Sequence, residues 1–217
     1  MGLNQMRHLI IYGGSFDPPH NGHLNTAIAV QNEFHFERFV FLPCKTPVLK
    51  EATQASCEQR ISMLQLALLP YREFHIDTRE IERDAPSYMV NTLESFREEI
   101  GEKIPITLLM GMDAFLRLPE WYQWQRLLAL SHILVIQRPQ INPPAMPQSL
   151  EALLSLKKTT EKSNLLTESH GKIFCYDAGQ YDISSSWLRK QIKSRTDVRN
   201  YLPSAVYQYI KEQALYQ

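Results

Sequence analysis

The stretch from Ile10 to His23, IIYGGSFDPPHNGH, limits the possible folds more than any other part of this chain. A short apolar run ends in two glycines, and the residues that follow lead into a run with helical character at 24–34. A strand, a glycine turn and a helix in that order are typical of the βαβ units of a parallel sheet. Since such folds bind ligands at the carboxyl ends of their strands, the turn is predicted to lie at a ligand site.

The same turn has features that suit phosphate. Gly13 and Gly14 lack a Cβ, so a ligand can approach their backbone closely. The first N–H groups of the following helix attract anions, and His20 and His23 can donate hydrogen bonds to phosphoryl oxygens. The stretch has no P-loop lysine and no GxGxxG pattern. A metal site and ordinary surface histidines remain alternatives, although this spacing through a turn is not the i, i+4 helical spacing of zinc proteases.

The full string GGSFDPPHNGH resembles the bacterial nicotinate mononucleotide adenylyltransferases, in the nucleotidyltransferase superfamily marked by [HT]-x-G-H after the first strand. The resemblance implies a Rossmann-like nucleotidyltransferase fold of class α/β, with a mainly parallel sheet of about six strands, helices on both faces and a helical C-terminal end. It implies transfer of the adenylyl group of ATP to nicotinate mononucleotide. The products would be deamido-NAD and pyrophosphate, in NAD biosynthesis.

Length and composition agree with a single domain over 1–217. Lys+Arg and Asp+Glu number 23 each, which argues against a nucleic-acid-binding protein. The three cysteines form neither a metal spacing nor a disulfide framework, so a reducing cytoplasm is expected. No run is long enough for a transmembrane helix, and the first residues lack a signal-peptide pattern. A homo-oligomer is left open.

Hydrophobic patterns predict alternating strands and helices, and therefore right-handed βαβ units with a parallel sheet. Strands are predicted at 8–12, 38–43, 74–77, 105–110, 132–137 and 172–176. Helices are predicted at 24–34, 58–69, 88–100 with Ser87 as N-cap, 120–130, 150–158, 184–193 and 204–212.

A second motif, ISSSWLR, runs from Ile183 to Arg189. Ser184, Ser185 and Ser186 precede a helix, where hydroxyls and N–H groups can hold phosphate oxygens, and Arg189 can reach back with a charged fork. The alternative is a plain N-cap with a solvated arginine. The motif also resembles the ISS[ST]-x-x-R stretch of the superfamily, which implies contacts with the β- and γ-phosphates. Ser186 stands where threonine is usual and keeps the hydroxyl.

Gly111 and Asp113 follow the predicted fourth strand directly. The Asp113 carboxylate could accept hydrogen bonds from ribose hydroxyls, or it could cap the next short helix. Trp121 and Tyr122 belong to an aromatic cluster that could be core, or could stack on a flat ring. The resemblance favours the nucleotide role for Asp113 and implies that Trp121 stacks on the nicotinate ring.

Three positions depart from the family pattern on the acceptor side. Met89 stands where threonine is usual after Pro-Ser-Tyr, Leu49 replaces a histidine before Lys50, and Cys44 replaces an asparagine. Lys50 keeps the cation that the family has at its position. The details of acceptor recognition are therefore less closely implied than the ATP contacts.

Taken together, the resemblance implies His20, His23, Arg189 and Lys50 as catalytic residues and no residue as a metal ligand. Contacts with ATP are expected from Gly13, Gly14, Ser15, Phe16, His20, His23, Gly111, Asp113, Ile183, Ser184, Ser185, Ser186 and Arg189. Contacts with nicotinate mononucleotide are expected from Ser15, Cys44, Lys45, Tyr88, Met89, Trp121 and Tyr122. Mg²⁺ would bind mainly through the ATP phosphates.

Two other functions remain as alternatives. One is a related transferase whose phosphate acceptor is phosphopantetheine, nicotinamide mononucleotide or glycerol phosphate; Trp121 and the Pro-Ser-Tyr segment argue against it. The other is a nucleotide-binding protein without catalysis, which the presence of His20, His23 and Arg189 argues against.

Overall fold

Six strands form one sheet in the order β3-β2-β1-β4-β5-β6. The structure is a computed structural model that describes residues 7–49, 52–137, 145–179, 181 and 183–217. The pairings β1–β4, β4–β5 and β5–β6 are parallel, as the alternating pattern predicts. The strands are β1 (Leu9–Gly14), β2 (Arg38–Pro43), β3 (Phe74–Ile76), β4 (Ile106–Gly111), β5 (His132–Gln137) and β6 (Ile173–Asp177).

The longer helices lie within three residues of the predicted bounds, and the α/β class is confirmed. They are α1 (Asn21–Phe34), α2 (Cys57–Leu68), α4 (Met89–Ile100), α7 (Gln148–Lys157), α9 (Ser185–Lys193) and α10 (Ser204–Glu212). Shorter helical segments are α3 (Arg79–Glu82), α5 (Met112–Leu116), α6 (Leu127–Leu130) and α8 (Asn164–Thr167). No helix in the described part of the chain is long and apolar enough to span a membrane.

The predicted helix at 120–130 is wrong. Gln123 adopts a left-handed backbone conformation with φ of 49°, which a continuous right-handed helix cannot contain. The chain instead forms one 3₁₀ turn at Leu118–Glu120, a second at Trp124–Arg126, and then α6. The aromatic residues between the two turns are therefore presented by irregular backbone.

The predicted N-cap Ser87 is wrong, and so is the alternative in which Asp113 caps the next short helix. Tyr88 is the N-cap residue of α4, while the Ser87 hydroxyl accepts a hydrogen bond from the Lys45 N–H at 3.1 Å. Gly111 precedes α5, and Asp113 is the second residue of that helix rather than its cap. Ser87 thus bonds with the backbone of Lys45, and Asp113 lies inside the helix rather than before it.

The described residues form two compact units. The first contains the chain up to Gly13 together with Phe34–Val40 and Tyr88–Ala178. Its core includes strand residues that are fully buried, among them Leu9, Ile10, Ile106, Ile133 and Leu134. The prediction of a single domain over 1–217 stays a prediction.

Inside the first unit, the buried Arg97 guanidinium is held by backbone carbonyls. It donates to the oxygens of Leu130, Ile104, Gly101 and Ser169 at 2.6–3.1 Å. Burial lowers the pKa of Arg97 from its ordinary value. These bonds tie the end of α4 to the segments that precede β4, β5 and β6.

The second unit contains Gly14–Glu33, Phe41–Ser87 and Gly179–Gln217. Helices α2 and α10 pack together there. Its buried apolar residues include Phe16, Phe41, Met63, Leu188, Val206 and Ile210. The unit thus joins the loop after β1, the loop after β2 and the C-terminal helices.

Candidate active site

The loop between β1 and α1 is shaped by Phe16. This residue has a left-handed backbone conformation with φ of 48°, and its side chain is buried against Phe41, with 5.6 Å between ring centroids. A Cβ added at Gly14 would lie 3.0 Å from the Phe16 ring, which is tighter than most contacts of a Cβ and would require the ring to shift. The packing of the loop therefore favours glycine at position 14, in addition to any approach of a ligand.

His20 and His23 form a reciprocal pair at the start of α1. The His23 N–H lies 3.3 Å from Nδ1 of His20, and the His20 N–H lies 3.3 Å from Nδ1 of His23. The two rings stack with 3.7 Å between centroids and 24° between planes. His20 thus caps the helix much as a serine or asparagine would.

This pairing assigns the tautomer of both rings. Because each Nδ1 accepts a hydrogen bond from a backbone N–H, the proton of each neutral imidazole resides on Nε2. Gly22 leaves room for this arrangement, since a Cβ there would lie 3.0 Å from Nδ1 of His20 and would push against its ring. The result is two N–H donors fixed at a helix N-terminus, which is an arrangement suited to oxyanions.

Asp17 anchors the same loop from below the surface. Its carboxylate is 1% exposed and accepts hydrogen bonds from the N–H groups of Gln54 at 2.8 Å and Ala55 at 3.1 Å. The Tyr216 hydroxyl donates to the same group at 2.7 Å, and Nη1 of Arg189 lies 3.7 Å from it. A buried carboxylate is costly unless it is paired and bonded in this way.

The second motif joins this loop through α9. Nη1 of Arg189 donates to the Asp17 carbonyl at 2.8 Å, and the Ser185 hydroxyl donates to the Pro18 carbonyl at 2.9 Å. The Ser184 hydroxyl accepts from the Trp187 N–H at 3.2 Å, so Ser184 is the N-cap of α9. The two predicted phosphate motifs are therefore brought together within the second unit.

The remaining hydroxyl and amides of this motif lie at the start of α9. Ser186 is exposed, with its Oγ 3.5 Å from Nη2 of Arg189, and Ile183 precedes the N-cap. The N–H groups of Ser185 and Ser186 fall in the first turn, where a helix offers no carbonyl acceptor. Lys50, the fourth predicted catalytic residue, lies outside the described residues.

Arg60 is a residue of this region that sequence reasoning missed. Its side chain is fully buried, and its guanidinium donates to the carbonyls of Ser15 at 2.8 Å and Lys45 at 3.2 Å. It thereby links the loop after β1 to the loop after β2. A sequence signal was present, since Arg60 continues the helical spacing of the buried residues Met63 and Leu64 in α2.

The loop after β2 is fastened at two further points. The Cys44 N–H donates to the Gly14 carbonyl at 3.0 Å. Nζ of Lys45 donates to the Arg83 carbonyl at 3.1 Å and lies 3.6 Å from the exposed Asp84 carboxylate. In this structure Lys45 is thus directed to another loop of its own unit.

The first unit carries the other predicted nucleotide residues. Gly111 ends β4, and a Cβ added to it would meet nothing within 4 Å, so space is open above its backbone. Asp113 lies in the first turn of α5, where its side chain is exposed. At Gly13 an added Cβ would come within 3.1 Å of the terminal methyl of Met89.

The predicted acceptor residues of the first unit form an aromatic group. The rings of Tyr88 and Tyr122 stack with 4.5 Å between centroids, and Tyr122 is 49% exposed. Trp121 is half-buried on the backbone between the two 3₁₀ turns. Met89 is the first residue of α4, so its N–H has no acceptor within the helix. The exposure of Tyr122 excludes a pure core role for it.

Comparison with known proteins gives a consistent family. A model described as cytidylyltransferase-like matches residues 11–191. The chain is 49% identical to a probable nicotinate-nucleotide adenylyltransferase of Legionella pneumophila (strain Corby), over 98% of this chain and all of the relative. A protein of the same name from Methylococcus capsulatus is 37% identical, over 95% of this chain and 98% of the relative.

A solved structure supports the fold. The Plasmodium falciparum nicotinic acid mononucleotide adenylyltransferase complexed with NaAD is similar with a TM-score of 0.73, at 17% identity and over 97% of each chain. At that identity the similarity concerns the fold alone.

Proposed function

Because the chain belongs to the nicotinate-nucleotide adenylyltransferases of the cytidylyltransferase-like family, we propose that it transfers the adenylyl group of ATP to nicotinate mononucleotide. The products are deamido-NAD and pyrophosphate, and the step belongs to NAD biosynthesis. The structural observation that supports this most is the reciprocal histidine pair, which fixes two Nε2–H donors at a helix N-terminus.

The reaction is a displacement at phosphorus. An oxygen of the 5′-phosphate of nicotinate mononucleotide forms a bond to the α-phosphorus of ATP. The bond from that phosphorus to the bridging oxygen breaks, and its electron pair leaves with pyrophosphate. The nucleophile is already an anion, so no general base is needed. Catalysis therefore consists of positioning the reactants and stabilising the charge of the transition state.

The second unit carries the residues proposed for the triphosphate. His20 and His23 would donate to oxygens of the α- and β-phosphates. Arg189, with the N–H groups of Ser184, Ser185 and Ser186 and the hydroxyls of Ser184 and Ser186, would hold the leaving pyrophosphate; the Ser185 hydroxyl donates to the Pro18 carbonyl. Lys50 is proposed to add a further cation, and contacts with ATP are also proposed for Gly14, Ser15, Phe16 and Ile183.

The first unit carries residues proposed for the nucleoside and for the pyridine ring. Asp113 would accept hydrogen bonds from ribose hydroxyls beside the open backbone of Gly111, and Gly13 is proposed as a further contact of ATP. Trp121 would stack on the nicotinate ring. The N–H groups of Met89 and Tyr122, next to Tyr88, would donate to its carboxylate. In the second unit, Ser15, Cys44 and Lys45 are proposed as further contacts of the acceptor.

We propose that Mg²⁺ enters bound to the triphosphate. The described residues contain no group of three or more His, Cys, Asp or Glu side chains placed to hold a metal, and the Asp17 carboxylate is occupied by amides and a hydroxyl. An ion whose ligands are phosphate oxygens and water needs no such group of side chains. When bound, the ion neutralises charge on the phosphates. In the described residues Cys44, Cys57 and Cys175 are not joined in disulfides, which supports a proposed cytoplasmic location.

The test is release of pyrophosphate from ATP with a panel of acceptors: nicotinate mononucleotide, nicotinamide mononucleotide, phosphopantetheine and glycerol phosphate. Main-chain N–H groups suit a carboxylate, which accepts from all of them, whereas an amide turns its own N–H₂ toward one. A donor facing a donor costs about 1–3 kcal/mol, so kcat/KM should favour nicotinate mononucleotide by about tenfold to a hundredfold. Equal values, or preference for the amide, would overturn the acceptor assignment.

A further inference from the structure

The segment that follows α10 returns to the interior of the second unit. Ala214 and Tyr216 have left-handed backbone conformations, with φ of 49° and 63°, and Leu215 and Tyr216 are buried. Left-handed φ at residues other than glycine costs free energy, so tertiary contacts must stabilise this path. The Tyr216 hydroxyl lies 2.7 Å from Oδ1 of Asp17, 199 positions earlier in the chain, and 4.0 Å from the sulfur of Met63.

The Asp17 carboxylate accepts hydrogen bonds from groups that hold the loop after β1. It also lies near Arg189, which binds phosphate in the proposed function. Oδ2 accepts from Gln54 and lies 3.7 Å from Nη1 of Arg189, whereas Oδ1 accepts from Ala55 and from the Tyr216 hydroxyl. Nη1 of Arg189 also donates to the Asp17 carbonyl at 2.8 Å. The carboxylate and the guanidinium are thus close without a direct hydrogen bond between their side chains.

The Tyr216 hydroxyl is kept in its donating form. Burial, and next the negative charge of Asp17, raise the pKa of Tyr216 above its ordinary value. At neutral pH the phenol therefore donates to Oδ1 at 2.7 Å and satisfies part of the negative charge. Without this donor, the guanidinium of Arg189, with Nη1 3.7 Å from Oδ2, is a cation that could compensate the carboxylate.

We propose that Tyr216 is a positioning residue for Arg189, acting through Asp17; this rests on the proposed function, in which Arg189 binds ATP phosphates. By donating a hydrogen bond to Oδ1, Tyr216 compensates part of the negative charge of the Asp17 carboxylate. The carboxylate then attracts the Arg189 guanidinium less strongly. Arg189 then keeps donor capacity for the triphosphate. Loss of the hydroxyl should draw Arg189 toward Asp17 and away from the substrate.

Tyr216→Phe tests the proposal because it removes the hydroxyl and keeps the ring. We expect kcat/KM for ATP to fall about tenfold, with KM for nicotinate mononucleotide within about twofold of the parent. The matched control is Tyr209→Phe on α10, whose hydroxyl is not a partner of Asp17 in the described structure, and it should change neither value. In an Arg189→Lys background, Tyr216→Phe should cost less than about twofold further, because the two changes affect one interaction.

A merely structural role makes a different prediction. If Tyr216→Phe lowers only the melting temperature and leaves kcat/KM for ATP unchanged below it, Tyr216 is an anchor and the inference is wrong. Should the phenylalanine variant not fold, 4-fluorophenylalanine at position 216 fills the volume of the hydroxyl without donating and gives the same comparison.

Calorimetric titration with ATP separates this inference from the proposed function. If the parent protein binds ATP but releases no pyrophosphate with nicotinate mononucleotide, the acceptor assignment fails. The ratio of ATP affinities between the parent and Tyr216→Phe still decides the role of Tyr216. An unchanged affinity would overturn it, and a loss of about tenfold would support it.

Discussion

The loop after β1 and the segment after β4 are built in different ways. Residues 14–20, in the second unit, are held by buried or half-buried side chains from other segments, with Arg60, Arg189 and Tyr216 bonded to the loop or to Asp17 within it. Residues 111–122, in the first unit, turn through short helical pieces, and Tyr122 is 49% exposed. The first loop is fixed by buried polar contacts, whereas the second segment presents aromatic surface.

This difference matches what the proposed reaction requires of each region. Stabilising charge at phosphorus depends on donors that are already in place, so small displacements are costly. Stacking on a flat ring tolerates small shifts, because dispersion and the hydrophobic effect depend weakly on direction. We therefore expect substitutions in the loop after β1 to affect turnover more than substitutions in the aromatic region.

The largest effect is expected at the histidine pair. His23→Ala should lower kcat by about a hundredfold or more, because it removes one preorganised donor. His23→Asn is the informative companion, since its side-chain oxygen can accept the His20 N–H while the Nε2 donor is absent. Both variants should fold and both should be slow. An asparagine variant with near-normal turnover would show that the ring contributes only to loop structure.

A second effect concerns His132, which braces the first unit. Nδ1 of His132 accepts from the Lys172 N–H at 3.1 Å, and Nε2 donates to the Glu168 carbonyl at 2.7 Å. This arrangement needs the neutral ring, and burial is the main cause that lowers its pKa to about 4.

The sign of the pH dependence follows from that pKa. The unfolded chain binds a proton at His132 below about pH 6.5, whereas the folded protein does not until about pH 4, so stability is lost as pH falls between these values. We expect the free energy of unfolding to drop by about 2 kcal/mol from pH 7 to pH 5 through this residue. His132→Gln should flatten that part of the curve, and His75→Gln, at an exposed position, should not. If the free energy of unfolding depends on pH in the same way in the parent and in His132→Gln, His132 does not stabilise the first unit as described.

Substituting one glycine by alanine in each region tests the comparison, because each change adds a single methyl group. An added Cβ at Gly22 would lie 3.0 Å from Nδ1 of His20, whereas one at Gly111 would meet nothing within 4 Å. Alanine normally stabilises a helix relative to glycine by about 0.5–1 kcal/mol. Gly22→Ala should instead lower stability and reduce kcat about tenfold, since the stacked rings must separate. Urea unfolding of Gly22→Ala and Gly111→Ala checks this, with no loss of stability expected for the second.

The sequence predictions are correct where the cause of a structure lies in neighbouring residues, and they fail where the cause lies elsewhere in the chain. The strands at 38–43 and 132–137 have the predicted bounds, because continuous apolar runs specify buried parallel strands. The histidine turn and the serine motif were found because their residues lie close together in sequence. The left-handed Gln123 has no comparable local signal, and it interrupts a pattern that otherwise predicts a helix.

The contacts that hold the loop after β1 come from distant parts of the chain. Asp17 bonds with residues 54, 55 and 216, and the carbonyls to which Arg60 donates belong to Ser15 and Lys45. A buried charge is stable only with such partners, and spacing along the sequence does not reveal them. Local motifs therefore suffice to propose the substrate contacts, whereas the distant partners of the buried charged side chains are not evident from the sequence.

The smallest effect is expected in the first unit, at the position where this chain departs from the threonine of its family. Met89 is the first residue of α4, and its N–H, which has no acceptor within the helix, is the group proposed to donate to the acceptor carboxylate. Met89→Thr keeps that N–H, so kcat/KM for nicotinate mononucleotide should change by less than about threefold. The terminal methyl of Met89 lies near the backbone of Gly13, and its removal opens space there without removing a donor. A gain of tenfold or more for the threonine variant would mean that the hydroxyl rather than the main chain binds the carboxylate, and that this region is as exacting as the loop after β1.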